Sequence, residues 1–505
     1  MHKYLYLLVF LLCSPFLVLA QIKPAANDTL NYRLIGFTVP ENTNAVTYRL
    51  QIATGAINNS VDFTKNIISD SAYTSGKMLA MVPEFGKTYT WRVLYQNKKG
   101  KVKEQSGFYH FTTGSADITD TSKNHLVVVQ KATHHKNMLV LLDQSKAMYD
   151  MNGKLVWYLP EIQGIANSQI SIRDLKPTKR GTLTFLTAGN IYEIDYDGNI
   201  IWKSNKDTSR KGIDTFDMYH HEFTRLNNGN YMVAGNEFVL VPLGIDSATA
   251  IERHVPVIQV KDGVAYRRLP LGTLEEYNAK GDRIWRWKSS DYIKDDSLFY
   301  KKIPKHPDDI SPHMNSFYFD EKNNVIYISF KNAHHIVKIS YPDGKILAYY
   351  YGLSETPPIF TGQHAVRLNN AGNMILFNNN RRGYKNSNAH DVSYITELKE
   401  ENGKAVKIWE FPCNLDTLTP GTTGTGGNVL QLEDGCYISC VGTTGRIFMV
   451  TPGKQVVWNA IAQRYNTDLK EWQPSEEYRV SYINDPRQIN ELVFKTEIKE
   501  GLNMH

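Results

Sequence analysis

The sequence predicts an all-β protein: a six-bladed β-propeller preceded by a small N-terminal β-sandwich. Three observations carry that reading. The first is a repeat, a glycine-bearing turn followed a few residues later by an aromatic. Its copies are Asn152-Gly-Lys-Leu-Val-Trp157, Asp197-Gly-Asn-Ile-Ile-Trp202, Lys280-Gly-Asp-Arg-Ile-Trp285, Asp343-Gly-Lys-Ile-Leu-Ala-Tyr349, Asn402-Gly-Lys-Ala-Val-Lys-Ile-Trp409 and Pro452-Gly-Lys-Gln-Val-Val-Trp458. A turn and an aromatic-ended strand recurring every 45 to 65 residues or so mark propeller blades, and six copies imply six blades over 125–505. The second is composition: 11% aromatic residues with 30 Tyr, and 34 Gly and 20 Pro to supply turns, favour many short strands. The third is the run of alternating segments from 22 to 118, such as Val46-Thr-Tyr-Arg-Leu-Gln-Ile and Thr88-Tyr-Thr-Trp-Arg-Val-Leu-Tyr. With Trp91 in a strand, this reads as a sandwich of fibronectin type III character.

The remaining elements follow in order. Residues 1–20 combine Lys3, an apolar run from Leu5 to Leu19 and the small-residue site Val18-Leu19-Ala20, which predicts a secretory signal peptide cleaved after Ala20. No later run is long enough to span a bilayer, so a periplasmic or secreted protein is expected. Gly114 to Asn124 is a polar linker. The one long gap in the repeat, between Trp202 and Trp285, predicts an insertion at about 238–275, including Val239-Leu-Val-Pro-Leu, as a loop or hairpin. The best place for a short helix is near 466–473. The repeated tryptophans read as packing between blades rather than as substrate contacts.

Charge excludes one class of function. A formal charge of +6 spread along 505 residues offers no basic arm for nucleic acid. After cleavage three cysteines remain, Cys413, Cys436 and Cys440. In an oxidising compartment an odd number suggests one disulfide and one free thiol. Four residues of strand span about 13 Å, too far for Cys436 to bridge Cys440, so Cys413 with one of them is the expected pair. No His/Cys spacing reads as a zinc site, and no segment reads as a nucleotide site. The Pro-Gly-Thr-Thr-Gly-Thr-Gly-Gly stretch at 420–427 lacks the Lys-Ser/Thr ending of a phosphate-binding loop.

Histidines carry the functional signal. His220-His221 in Tyr-His-His-Glu-Phe, His313 in Ser-Pro-His-Met-Asn-Ser and His364 in Thr-Gly-Gln-His-Ala-Val each head a strand-like run of a separate block. Side chains at equivalent points of a repeat lie at equivalent heights in the assembled fold, so the imidazoles can converge although about 140 residues separate the first from the last. Glu222, Asn315 and Gln363 accompany them. His134-His135 and His334-His335 read as loop or surface residues. Converging imidazoles permit either metal binding or a nucleophile flanked by groups that stabilise an anion. With Glu222 the only evident carboxylate, metal is the secondary choice.

On these motifs the chain resembles the bacterial arylsulfate sulfotransferases that work without the nucleotide sulfate donor. The resemblance implies a periplasmic propeller enzyme with an N-terminal sandwich, no cofactor, a phenolic sulfate donor and a phenolic acceptor, and it is compatible with a homodimer. Gln363-His364-Ala365 is similar to the segment holding the family's nucleophilic histidine. His313-Met-Asn315-Ser316 is similar to its His-x-Asn-Ser, and His220-His221-Glu222 to its His-His-acid block, with the choice between His220 and His221 open. Where the family places an arginine, this chain has Lys331, which keeps the charge and loses the planar fork. The family's late threonine has three candidates here, Thr422, Thr423 and Thr425, with Thr425 taken forward. Arg381, beside Arg382, is a further candidate for attracting sulfate. The expected reaction is a two-step transfer through a sulfohistidine at His364. A non-catalytic propeller binding an anion or a protein partner, and a sulfate-ester hydrolase, are the alternatives.

Overall fold

The computed structural model describes residues 22–165, 171–205, 219–252, 259–293, 311–380 and 392–495. The signal-peptide segment and Arg381-Arg382 lie outside them. The chain divides into two compact units, Met1–Gly114 and Ser115–His505.

In the first unit, one sheet runs Asp28–Leu30, Tyr109–Thr113, Thr88–Gln96, Thr47–Thr54, Ile67–Tyr73, with Val102–Gln105 also on Thr88–Gln96; a second pairs Leu34–Thr38 with Lys77–Met81. Phe37 of the second sheet meets Trp91 and Phe111 of the first edge to face, at centroid distances of 5.0 and 5.9 Å. All three are fully buried, which gives this unit a core of its own.

The second unit is a series of antiparallel sheets, each built around a four-strand meander. Their members are Arg173–Pro177 to Ile200–Lys203; Tyr219–Arg225 to Arg283–Lys288; Met314–Asp320 to Ile346–Tyr351; His364–Leu368 to Lys404–Pro412; and Asn428–Gln431 to Val456–Asn466. The first sheet joins Leu139–Leu142, Ala147–Asp150 and Leu155–Tyr158 to the far end of the chain, Val480–Ile483. The leading strands touch in sequence, from Val480–Ile483 past Arg173–Pro177, and Asn428–Gln431 meets Val480–Ile483 again. The sheets therefore close on themselves in a propeller-like ring. The closure is doubled, because Asn124–Gln130 adds to the last sheet along Val456–Asn466. The expected insertion is a long hairpin, Tyr231–Pro242 against Val264–Tyr277, carrying the helix Ser247–Glu252 and the strand Gln259–Lys261.

The repeated aromatic has a definite task. Trp157 Nε1 donates to Tyr196 O at 2.7 Å, Trp285 to Pro342 O at 2.8 Å, Trp409 to Pro452 O at 2.9 Å and Trp458 to Met151 O at 3.0 Å. In each case the outer strand of one sheet is clasped to the glycine turn of the next. Trp202 instead stacks on Tyr231 at 3.6 Å. The turn glycines are needed at these joints: a Cβ on Gly198, at φ +86°, would sit 2.3 Å from Pro160, and one on Gly344 2.7 Å from Trp287.

Three expectations are corrected. Residues 466–473 form no helix: Asn466 Oδ1 accepts from the amides of Asp468 and Leu469, turning the chain into the strand Glu471–Pro474. The longest helix among the described residues is Pro486–Phe494, started by the Asp485 cap and a proline at its first position. Cys413, Cys436 and Cys440 are all free and buried, because Cys413 packs with Phe411, Val429 and Phe448 while the other two belong to a different apolar cluster. His335 is a buried strand residue, edge-on to Tyr351, rather than a surface one.

Replacing Trp458 by Phe should keep the ring but leave the buried Met151 carbonyl unpaired. The expected loss is about 1–3 kcal/mol in chemical denaturation with an unchanged m-value; a loss below about 0.3 kcal/mol would mean that the clasp contributes nothing.

Candidate active site

The leading strands of successive sheets share a local irregularity, and it aims the functional groups. Asp174, His221, His313 and Ala365 all have positive φ, at 54°, 63°, 55° and 55°. The pairing register shifts beside each of them, between Arg173 and Lys176, Tyr219 and Phe223, Met314 and Ser316, and His364 and Arg367. Such a bulge turns successive side chains out of the normal alternation. At a non-glycine residue this backbone costs roughly 1–2 kcal/mol, so the surrounding packing must hold it. In the last sheet the same place is taken by Gly426 and Gly427.

These bulges bring the predicted histidines together. The rings of His221 and His313 meet edge to face at 5.1 Å. Tyr478, which the sequence reading missed, lies 5.7 Å from His221 and 6.1 Å from His364, and so joins the two. His220 stands behind His221, with Nδ1 2.7 Å from its partner's Nδ1. Two carbonyl neighbours of His220, Gly235 O at 3.1 Å and Asn236 Oδ1 at 2.9 Å, face Nε2. A carbonyl can only accept, so the proton of His220 is on Nε2 and its Nδ1 takes the Nδ1 proton of His221. His221 is thereby the inward-facing member of the pair, with a lone pair on Nε2.

His364 is fixed by the same logic. Its Nδ1 faces Gly362 O at 3.1 Å and Asn379 Oδ1 at 2.6 Å. The Asn379 amide is oriented unambiguously, since its Nδ2 donates to Thr423 O at 2.9 Å and Gly426 O at 3.1 Å. Nδ1 of His364 carries the proton and Nε2 the lone pair. Asn379 was absent from the sequence reading, although it directly follows the strand that pairs with His364, Met374–Asn378. Burial, followed by the charge of Lys331, holds the His364 imidazole well below the ordinary histidine range. Burial, then His220 and His313, does the same to His221. Both are neutral at physiological pH.

The other predicted residues divide into two sets. Lys331 is buried, its amide donates to His313 O at 2.9 Å, and its charge acts on His364. Asn315 Nδ2 donates to Gln363 O at 2.7 Å, while its Oδ1 is buried without a protein partner. Gln363 is turned into the sheet: Nε2 donates to Phe330 O at 3.1 Å and His335 O at 2.9 Å, which locks the residue preceding His364. Thr425 is exposed, and Thr423 is the buried member of its loop, donating to Thr425 O at 2.6 Å. His334 accepts from Gly362 N at 2.9 Å and so braces the turn before His364.

Below the imidazoles lies an ion cluster. Arg479 Nη1 reaches Asp174 at 2.8 Å and Glu222 at 2.6 Å, and its Nη2 donates to Asn315 O at 3.1 Å. Glu222 also holds Arg367 at 2.7 Å and Lys176 at 2.7 Å. Burial pushes the Glu222 carboxyl up, but Arg367, Arg479 and Lys176 outweigh it and keep it far below the usual carboxylate range. Glu222 is thus the counter-ion of this cluster rather than a companion of the imidazoles. Residues 477–479 are seated on the first sheet: Arg479 N donates to Asp143 Oδ1 at 2.8 Å, and Glu477 accepts from the amides of Gln144 and Ser145 and the Ser145 hydroxyl. Burial raises Asp143 to about 7 and Glu477 to about 8.

Arg479→Met should strand Asp174 and Glu222 with fewer cations and lower stability by about 3–5 kcal/mol in denaturant titration. Adding Asp174→Asn should recover part of that loss; strict additivity of the two changes would contradict the coupling. The raised Glu477 contributes stability below its unfolded value, 4.5, and that contribution is lost as pH rises through about 8. Glu477→Gln should therefore remove an alkaline decline approaching about 1.4 kcal/mol per pH unit in this window. His221 and His364, lowered on folding, have the opposite sign: their contribution is lost as pH falls below 6.5, and His364→Asn should make the acid limb shallower.

Comparison with known proteins bears on this site. The chain resembles, among solved structures, a Bacteroides caccae protein of unknown function (14% identity, TM-score 0.40, 72% of this chain and 100% of that one) and a streptogramin B lyase (9%, TM-score 0.36, 72% and 97%). An auxiliary nutrient binding protein from Bacteroides ovatus aligns over 91% of this chain and 90% of its own at 9% identity and a TM-score of 0.34. Likeness this distant carries no functional argument. A search of curated proteins gives no match. The Arylsulfotransferase (ASST) family model matches residues 119–415, more than half of the chain and every histidine of the site, and the protein belongs to that family.

Proposed function

We propose that the protein is an arylsulfate sulfotransferase that moves a sulfuryl group from a phenolic sulfate to a phenol by a ping-pong mechanism, with His364 as the carrier. The observation that carries the reading is the fixed tautomer of His364. Its Nδ1 proton is committed to Gly362 O and Asn379 Oδ1, which leaves a neutral, correctly unprotonated Nε2 next to a cation. In the first half-reaction the Nε2 lone pair forms a bond to sulfur, the sulfur–aryl oxygen bond breaks, and the electron pair leaves on the phenolate. The ring becomes cationic, and the two oxygens on its Nδ1–H stabilise that charge. Lys331 and His313 face the equatorial sulfuryl oxygens, as in-line transfer to an anionic centre requires.

In the second half-reaction an acceptor phenol takes the sulfuryl group, and its proton passes to the lone pair on His221 Nε2. The chain His221 Nδ1–H to His220 Nδ1, with His220 Nε2–H on Gly235 O, keeps that lone pair available. Tyr478, between His221 and His364, provides an aromatic wall with a buried hydroxyl that has no protein partner. The same reading makes the second unit a six-bladed propeller and the first a fibronectin-like sandwich. It also makes the mature protein periplasmic after removal of residues 1–20. No step calls for a nucleotide or a metal.

The test is release of a coloured phenol from a chromogenic aryl sulfate, with and without a second phenol, followed by peptide mass spectrometry. Turnover that requires acceptor, with a sulfuryl adduct on the His364 peptide when acceptor is withheld, is the expected result. Release without acceptor would indicate a hydrolase, and no release a binding protein. His364→Asn should abolish both half-reactions. Asn379→Leu should slow the first by about 10²-fold with little change in KM, since it disturbs the tautomer rather than the binding surface.

A further inference from the structure

A second cluster of chemically reactive side chains lies away from the imidazoles, where the ring closes. His135 sits in the connection between Asn124–Gln130, which belongs to the last sheet, and Leu139–Leu142, which belongs to the first. Asp434 and Cys436 flank Gly435 in the hairpin turn between Asn428–Gln431 and Tyr437–Cys440 of the last sheet. The two segments are about 300 residues apart in sequence. An imidazole nitrogen, a carboxylate oxygen and a thiol sulfur, one from each residue, all lie within 4.8 Å of one another.

We propose that His135, Asp434 and Cys436 form a zinc-class divalent cation site that pins the closure of the ring. The geometry is convergent on one atom. His135 Nε2 lies 2.8 Å from Asp434 Oδ2, and Cys436 Sγ lies 3.3 Å from the same oxygen. Two donors already point at one acceptor, so a cation placed among the three replaces their shared protons without a large movement. The backbone is prepared on both sides. His135 has φ 52°, Gly435 has φ +89°, and Cys436 N donates to Asp434 Oδ1 at 3.0 Å, which fixes the carboxylate. The donor set of one nitrogen, one oxygen and one sulfur matches the borderline character of Zn²⁺, whereas calcium or magnesium would require oxygen alone. Asp434 is exposed and His135 is partly so, which leaves room for water as the fourth ligand. Binding converts the Cys436 thiol to a thiolate, with its proton released to solvent and a metal–sulfur bond formed, while the His135 proton moves from Nε2 to Nδ1 and the freed Nε2 lone pair forms the metal–nitrogen bond.

Of the other two thiols, Cys413 is fully buried in an apolar cluster, and Cys440 is fully buried with its Sγ donating to Glu477 O at 3.2 Å. The consequence for the fold is specific. The loop bearing His135 crosses from the last sheet to the first, so a metal there links the two sheets directly at the joint that must open when the ring opens.

The experiment uses the untagged mature protein, freed of metal by chelation and titrated with Co²⁺ and then Zn²⁺. One equivalent of Co²⁺ should give a near-ultraviolet thiolate-to-cobalt band that Zn²⁺ abolishes, and Zn²⁺ should raise the Tm. Cys436→Ser should lose the band. His135→Ala, a partly exposed loop change that leaves the core intact, should weaken Co²⁺ binding at least tenfold and remove most of the Tm rise. Absence of the band in the unmodified chain, or a band unchanged by His135→Ala, would overturn the site.

Discussion

One buried guanidinium holds the centre of the second unit together. Arg479 leads into the strand that completes the first sheet, and its contacts reach Asp174 of the second sheet, Glu222 of the third and the Asn315 carbonyl of the fourth. Arg367 of the fifth sheet joins through Glu222 and also donates to Phe317 O of the fourth. Five separately folded sheets are thus tied by charge where their leading strands meet. Taking these ions out of water is expensive, and no member of the cluster can be removed without leaving another exposed to that cost. The positions of the bulged strands follow from this constraint, and the positions of the imidazoles follow from the bulges.

The bulges explain why the site is built on the edge of strain. A regular strand would send His221 or His313 alternately into the neighbouring sheet and into the centre. A single left-handed residue breaks that alternation and lets two consecutive residues do different work: His221 faces the site while Glu222 turns to the ion cluster. At the fifth sheet the left-handed residue is Ala365, immediately after His364, and the amide that follows, Val366 N, is caught by Ser316 Oγ at 3.2 Å. The strain is held in place by hydrogen bonds from neighbouring sheets, which is the condition under which such backbone persists.

How much of this could be read beforehand depends on whether the cause is local. The repeated turn and aromatic encode a contact with the next sheet, so Trp157, Trp409 and Trp458 were legible as packing residues from spacing alone. The three histidine blocks were legible because they recur at one point of that repeat. Asn379 was not, since an Asn-Asn-Asn run after a strand looks like a turn, and only the fold reveals that the middle one orients His364. Tyr478 and Arg479 were hidden for a different reason. They come from the C-terminal segment that completes the first sheet, beyond the last copy of the repeat, and nothing local announces a strand that pairs 340 residues back. The hairpin at 466–473 was missed because its polar residues suit a helix as well as a turn, until Asn466 caps the turn with its own side chain.

The distribution of charge decides what kind of substrate the imidazoles can meet. Arg479 and Arg367 are both spent on Glu222, and Arg479 on Asp174 as well. The field that reaches His364 comes chiefly from Lys331, with smaller shares from His313 and Arg479, and the field at His221 includes Arg173. A positive field in a desolvated site does two things at once. It favours an anion, and it keeps each imidazole from taking a proton, so the ring stays neutral instead of becoming another cation. Lysine at position 331 suffices for both effects, because each depends on charge and distance rather than on a two-pronged hydrogen bond. Under the proposed function, what lysine lacks here relative to an arginine is the planar fork that would orient the sulfuryl oxygens. The tautomer of His364 is unaffected by that loss, since it is set from the opposite side of the ring by Gly362 and Asn379.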